Sequence, residues 1–194
     1  MSKKKKSSSK KSRASSMTKQ NTNAAAWSWG ELEITLQSDI CLGNGYAFFG
    51  TIDTDVEYDC NGLPFLPGRR LKGVLRENAD FLYQTGLLQT GEGNSIEEIF
   101  GCSNAQGSYG IQVENGCIKD WHILTEELNE LKNEKGLEKI LSRERVLALF
   151  TSVKAQTRMK DGVADNNSLR FTRVINQYSA MEQREDHPLQ FTAQ

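Results

Sequence analysis

Four carboxylates alternate along "TIDTDVEYD": Asp53, Asp55, Glu57 and Asp59. A carboxylate beside a phosphate track can act as a general base or hold a divalent ion. The D-x-D spacing invites a calcium loop, but an EF-hand needs glycine where Tyr58 stands. The plainer reading is one solvated strand face carrying all four acids, with Ile52, Thr54, Val56 and Tyr58 on the other side.

A Gly/Pro turn, "CNGLPFLPG", comes next, and then Arg69, Arg70 and Lys72 stand where a helix should begin. The free N–H groups of a first helical turn are partly positive, so cations there are disfavoured. An anion would reverse that, and helix N-termini bind phosphate. The alternative is that these long side chains splay into water. A second group of cations lies between Arg143 and Arg173: Arg143, Arg145, Lys154, Arg158, Lys160, Arg170 and Arg173, against Glu144, Asp161 and Asp165. On strands around a mobile tip this is a basic finger suited to a phosphate backbone. The alternative is an ordinary polar hairpin. An aromatic RNP signature is missing, so the chain is not a standard RRM stacking platform.

Other chemistries find little support. His122 and His187 have no recognisable Ser or Cys partner for a hydrolase triad. Cys41, Cys60, Cys102 and Cys117 form no C-x-x-C pair, which argues against zinc and fits free thiols in a reducing compartment. No apolar run approaches the roughly 18 residues that would span a bilayer.

The elements that must position these groups follow from spacing. The segment 27–43, "WSWGELEITLQSDICLG", reads as a strand, and "GNGYAFFG" as a glycine-punctuated loop. From Gly68, Leu71, Val74, Leu75, Ala79 and Leu82 recur at helical spacing, with Pro67 able to start the helix. "IEEIFG" suggests a helical turn and "YGIQVENGCI" a strand. One or two helices fall between Leu124 and Phe150, interrupted near Gly136. Two strands flank the polar tip "KDGVADNN". The fold class is α+β. In residues 1–25 there are eight of the 24 basic residues and no acid, which leaves 16 bases against 25 acids. Residues 1–26 therefore read as a disordered basic tail, able to touch nucleic acid or merely to solubilise. The domain proper is 27–194, and in its acidic body any RNA contact must come from cations gathered locally.

The run "SDICLGNGYAFFGTIDTDVEYDCNGLPFLPGRRLKGVLRENADFL", then "IFG", then "VKAQTRMKDGVADNNSLRFTRVI", resembles the CRISPR-associated RAMP proteins of type III effector complexes, closest to the RAMP subunits of D-type systems. The likeness rests on a strand, a glycine-bearing loop, Ile-Asp, Gly-Leu-Pro, Pro-Gly and Leu-Lys-Gly-x-x-Arg, and covers most of 30–178. It implies a ferredoxin-like, RRM-type core with a β-hairpin thumb at about 151–175. The family's closing glycine-rich loop is missing: the chain stops at "HPLQFTAQ", within an expected strand, which implies a C-terminally incomplete domain.

The resemblance further implies a subunit that binds guide crRNA, meets target RNA and packs against other CRISPR effector subunits in the cytoplasm, in antiviral defence, with no membrane. It makes Asp53 the catalytic residue of a metal-dependent endoribonuclease using Mg²⁺, with Asp53 also the candidate metal ligand. Arg69, Arg70, Lys72, Arg76, Lys154, Arg158, Arg170 and Arg173 become the RNA contacts. Asp55 and Asp59 receive no role and remain strand-face acids. The competing readings are a non-catalytic structural subunit gripping the guide RNA or its 5′ handle, and an acidic α+β interaction module unrelated to RNA.

Overall fold

A computed structural model describes residues 28–43, 52–89, 95–101, 110–134, 136–180 and 187–194. The expected basic tail and most of the "GNGYAFFG" loop lie outside these residues, as does Cys102.

In chain order the elements are β1 (Leu32–Thr35), β2 (Glu57–Tyr58), β3 (Pro64–Phe65), α1 (Gly68–Gln84), α2 (Ile96–Phe100), β4 (Cys117–Ile118), α3 (Trp121–Asn133), α4 (Arg143–Phe150), β5 (Thr151–Gln156), β6 (Met159–Lys160), β7 (Val163–Ala164), β8 (Arg170–Ile175) and β9 (Gln190–Ala193). β9 lies between β1 and β4, antiparallel to both. Phe191 at its centre is fully buried and packs with Leu63, Leu66, Ile118, Val146, Phe150 and Ile175. Burying each such side chain stabilises the fold by about 1.5–3 kcal/mol, before the entropy of ordering it.

β5 and β8 form the root of a long hairpin in one register, from Thr151 opposite Ile175 to Gln156 opposite Arg170. β6 and β7 continue it to the tip. The turn between them is Asp161–Gly162, both at positive φ (52° and 80°). That is the two-residue geometry Asp-Gly favours, because its twist matches the flanking strands. Residues 153–164 of the hairpin are exposed throughout. The hairpin is joined to the body by an antiparallel bridge between Ile40 and Ile175.

Several expectations are corrected. "TIDTDVEYD" is not one strand. Ile52 and Thr54 make isolated bridges, the chain then leaves the ladder, and only Glu57–Tyr58 pair again, with β3. Asp55 and Val56 are buried at 3% and 2% exposure, so the acids do not share a wet face. The Pro-containing turn includes β3, whose Pro64 sits on a two-residue edge ladder that tolerates a missing donor. Among the described residues of "YGIQVENGCI", only Cys117–Ile118 is strand. In α1 only Leu71 of the expected stripe is buried, whereas Val74 and Leu82 are 46% and 39% exposed. The helix packs on the core by its first turns and on α2.

Gly68, the first residue of α1, abuts the backbone of Val113 and Glu114, and an added Cβ would lie 2.6 Å from the Glu114 carbonyl oxygen as well as against that of Val113. Gly68→Ala should cost roughly 1–3 kcal/mol by overpacking. Denaturant unfolding measures it, and an unchanged midpoint would show that the 113–116 loop yields freely.

Candidate functional site

Asp53 lies against the outer edge of β8. Its N–H donates to the Phe171 carbonyl at 2.8 Å, and the Arg173 N–H donates to the Thr54 carbonyl at 2.9 Å. These bonds accompany a parallel bridge between Thr54 and Thr172. The Asp53 side chain closes the arrangement: its Oδ2 accepts from the Phe171 N–H at 2.7 Å. Asp53 is exposed, and its Oδ1 has no hydrogen bond among the described residues. A carboxylate with one oxygen fixed by a backbone donor and the other open is both oriented and available.

The neighbouring acids are spent otherwise. Both oxygens of Asp55 lie 3.1 Å from Nη1 of Arg173, and Oδ1 also accepts from the Val56 N–H at 2.8 Å. Glu57 pairs with Arg69 at 3.3 Å. Asp59 Oδ1 accepts from the N–H groups of Asn61 and Leu63, both at 2.9 Å, and Oδ2 from the Trp121 indole at 3.1 Å. Asp55 and Asp59 are thus structural acceptors. Spacing along the chain missed this because their partners come from the far hairpin, from α3 and from a local turn.

The expected RNA contacts fall in two places. Arg69, Arg70, Lys72 and Arg76 are on α1. The N–H of Gly68 there is capped by Asn115 Oδ1 at 2.9 Å, so one orphan donor of the first turn is already occupied. Arg70 is exposed, and neither it nor Lys72 has an acidic partner among the described residues. Arg76 donates to the Gly101 carbonyl at 3.2 Å and lies 4.0 Å from Asp80. Lys154, Arg158, Arg170 and Arg173 are on the hairpin. Arg158 and Arg170 are exposed with no acidic partner among the described residues. The Lys154 ammonium is held by Asp39, and Arg173 by Asp55 with only 22% of its side chain exposed. Asp39 has no sequence signal as a site residue; its other oxygen accepts from the Gln177 N–H at 2.8 Å.

Beside the hairpin root is a cleft of about 360 Å³, lined by Tyr58, Arg143, Ser152 and the Asp55–Arg173 pair among others. The Arg143 guanidinium lies 5.4 Å from the centre of the Tyr58 ring, within cation–π range. Cys41, Cys60 and Cys117 are free, and burial pushes the Cys117 thiol up, which suits a packed thiol and not a nucleophile. Among the described residues no three His, Cys, Asp or Glu side chains converge as a metal cage. A single open carboxylate oxygen does fit Mg²⁺, which commonly takes one or two carboxylates together with waters and substrate phosphates.

A mixed helix-and-strand body carrying a long basic hairpin, with one open carboxylate at its root, defines the class of architecture. A chain of the type III-B Cmr-β complex, solved bound to cognate target RNA, has a similar fold: 10% identity, TM-score 0.51, covering 84% of this chain and 80% of that one. The sequence model of the RAMP superfamily matches residues 33–182, and the chain belongs to that superfamily. No curated protein matches it in sequence. Among the described residues no helix is long and apolar enough to cross a membrane.

The Lys154 ammonium, and after it the Gln177 N–H, hold the Asp39 carboxyl below its ordinary value of 3.8. A carboxyl lowered in the fold contributes stability present above the unfolded value and lost as pH falls through the folded one. The thermal midpoint should therefore fall more steeply below about pH 4 in the wild type than in Asp39→Asn. Solvent screens this pair, so the difference should stay under about 1 kcal/mol. Melts at stepped pH measure it, and parallel curves would remove the tie from the stability of the hairpin root.

Proposed function

We propose that this RAMP protein is a guide-RNA-binding subunit of a type III CRISPR effector complex that cleaves target RNA with Asp53 and Mg²⁺. The observation that carries the reading is the Asp53 carboxylate, fixed through Oδ2 and open at Oδ1, at the root of a basic hairpin. The RAMP match and the likeness to a subunit of an RNA-bound type III-B complex support the setting. The fold reading that accompanies it is a ferredoxin-like, RRM-type core with the hairpin as thumb, working in the cytoplasm beside other effector subunits on guide crRNA and target RNA.

In this mechanism Arg69, Arg70, Lys72 and Arg76 hold guide phosphates near the start of α1, and Arg158 and Arg170 hold phosphates along the hairpin. Lys154 and Arg173 contribute less charge, because Asp39 and Asp55 already neutralise them. A nucleotide unstacked beside the thumb can reach in-line geometry. Its ribose 2′-OH attacks the adjoining phosphorus as it gives up its proton, the P–O5′ bond breaks, the departing O5′ takes a proton from water, and a cyclic phosphate and a 5′-OH remain. Asp53 Oδ1 has one of two roles: without the ion it is the acceptor placed to take the 2′-OH proton, and with the ion it would hold Mg²⁺ while solvent water takes that proton. Mg²⁺ held by Asp53 would supply positive charge to the phosphoryl oxygens.

The non-catalytic reading, a subunit gripping guide RNA or its 5′ handle, draws on the exposed Arg70, Arg158 and Arg170, which need no catalysis to be useful. Asp53→Ala in the assembled complex separates the two. The expected result is a loss of one defined cut by roughly 10²–10⁴-fold, with target-RNA affinity retained. Retention of every cut would leave the gripping role. If no RNA co-purifies and affinity shows no salt dependence, both RNA readings fall.

A further inference from the structure

Arg173 stands in the basic hairpin as if to meet a phosphate, yet its side chain is turned inward. Its Nη1 bridges both oxygens of Asp55, which is only 3% exposed. The same residue's N–H holds the Thr54 carbonyl at 2.9 Å. Arg173 therefore ties the 53–55 segment to β8 twice, once by backbone and once by side chain. Between those ties and the Phe171 peptide lies Asp53, whose Oδ2 accepts from the Phe171 N–H. Beside these bonds the segment has only isolated bridges, one at Ile52 and one from Thr54 to Thr172, and the chain leaves the ladder at Asp55. Isolated bridges hold register less firmly than a continuous ladder, and a one-residue slip would turn the Asp53 side chain to the other face.

We propose that Asp55 and Arg173 are a positioning pair: their buried ion pair sets the register of the 52–55 segment on β8 and so aims the Asp53 carboxylate. This rests on the reading of Asp53 as the catalytic carboxylate. Asp55 acts through Asp53 and touches no RNA. Arg173 serves as the anchor of Asp55 and not as a phosphate contact, which reassigns one of the expected RNA-binding residues.

The test uses the assembled complex with guide RNA and Mg²⁺. Asp55→Asn keeps the size and the acceptor for the Val56 N–H but removes the charge. Its single-turnover cleavage rate should fall by roughly 10- to 100-fold, with target affinity unchanged. In a double-mutant cycle, Asp55→Asn should add nothing to Asp53→Ala, because both act at one carboxylate. Arg173→Gln should lower the rate likewise and leave the salt slope of RNA binding as in the wild type, whereas loss of a phosphate contact would reduce that slope by about one. A second readout is independent of cleavage: amide exchange at Phe171 should quicken in Asp55→Asn while exchange at the β9 core amides does not. If Asp53→Ala abolishes the cut and Asp55→Asn cuts at the wild-type rate, the positioning proposal is wrong and the function stands. If Asp53→Ala cuts normally, the catalytic reading is wrong, and unchanged exchange at Phe171 would dispose of the positioning pair too. Should Asp55→Asn fail to assemble, Arg173→Gln with the same two readouts decides the matter, and wild-type values in both would overturn the proposal.

Discussion

The peptide of Phe171 is the contact on which the site depends. Its carbonyl accepts from the Asp53 N–H and its N–H donates to the Asp53 carboxylate. β8 is thereby bonded on one edge to β5 and on the other to the acid-bearing segment. An open strand edge would otherwise expose unpaired donors and acceptors. Here the same bonds that cover the edge orient the Asp53 carboxylate, whose Oδ1 has no hydrogen bond among the described residues. Hairpin and acid are consequently one mechanical unit, rooted in the body through Ile40 and Ile175.

Magnitudes decide which charges remain free for a ligand. The Arg69–Glu57 pair is exposed on the arginine side, at 75% of the side chain, and such a pair contributes about 0–1 kcal/mol. Arg69 can exchange Glu57 for a phosphate at little cost. The Asp55–Arg173 pair is different: Asp55 is buried while 22% of the Arg173 side chain is exposed, so removing one partner approaches, without reaching, the roughly 3–5 kcal/mol of a fully buried pair. On the positioning proposal Arg173 therefore stays with Asp55. Lys154 lies between these cases, with 49% of its side chain exposed and Asp39 at 30%. Of the cations on the hairpin, Arg158, Lys160 and Arg170 are exposed with no acidic partner among the described residues, and on α1 Arg70 is the same.

Local signals were legible in the sequence and distant ones were not. Asp161–Gly162 marks the hairpin tip because that dipeptide tolerates two positive φ values. Pro67 before Gly68 marks the start of α1 at the residue observed. The break near Gly136 separates α3 from α4. Asp55 defeated the alternation because period two assumes an unbroken strand, and the chain leaves its ladder at that residue. Its partner lies 118 residues away, where only the fold can bring it. Asn115 as the cap of α1 is equally hidden, since the cap comes from a loop and not from the residue before the helix. The RAMP likeness pointed to Asp53 without showing why it differs from its neighbours. Their side-chain bonds do differ: both oxygens of Asp55 and of Asp59 are taken and Glu57 is paired with Arg69, whereas the exposed Asp53 keeps Oδ1 without a hydrogen bond among the described residues.

The union of hairpin and acid bears on where a nucleic acid would be cut. A carboxylate carried by a separate loop could meet any of several phosphates, because loop and hairpin would shift against each other. Asp53 has no such freedom while it shares the Phe171 peptide with β8. On the proposed function, whatever position the hairpin took along a guide–target duplex, the reach of one carboxyl oxygen from that peptide would select the phosphate. On the proposed function, cleavage spacing would then follow from the way successive hairpins divide the duplex, and the bases at the cut would not matter. The protein would read shape and leave sequence to pairing, which suits a basic hairpin on which Arg158, Lys160 and Arg170 are exposed and have no acidic partner among the described residues.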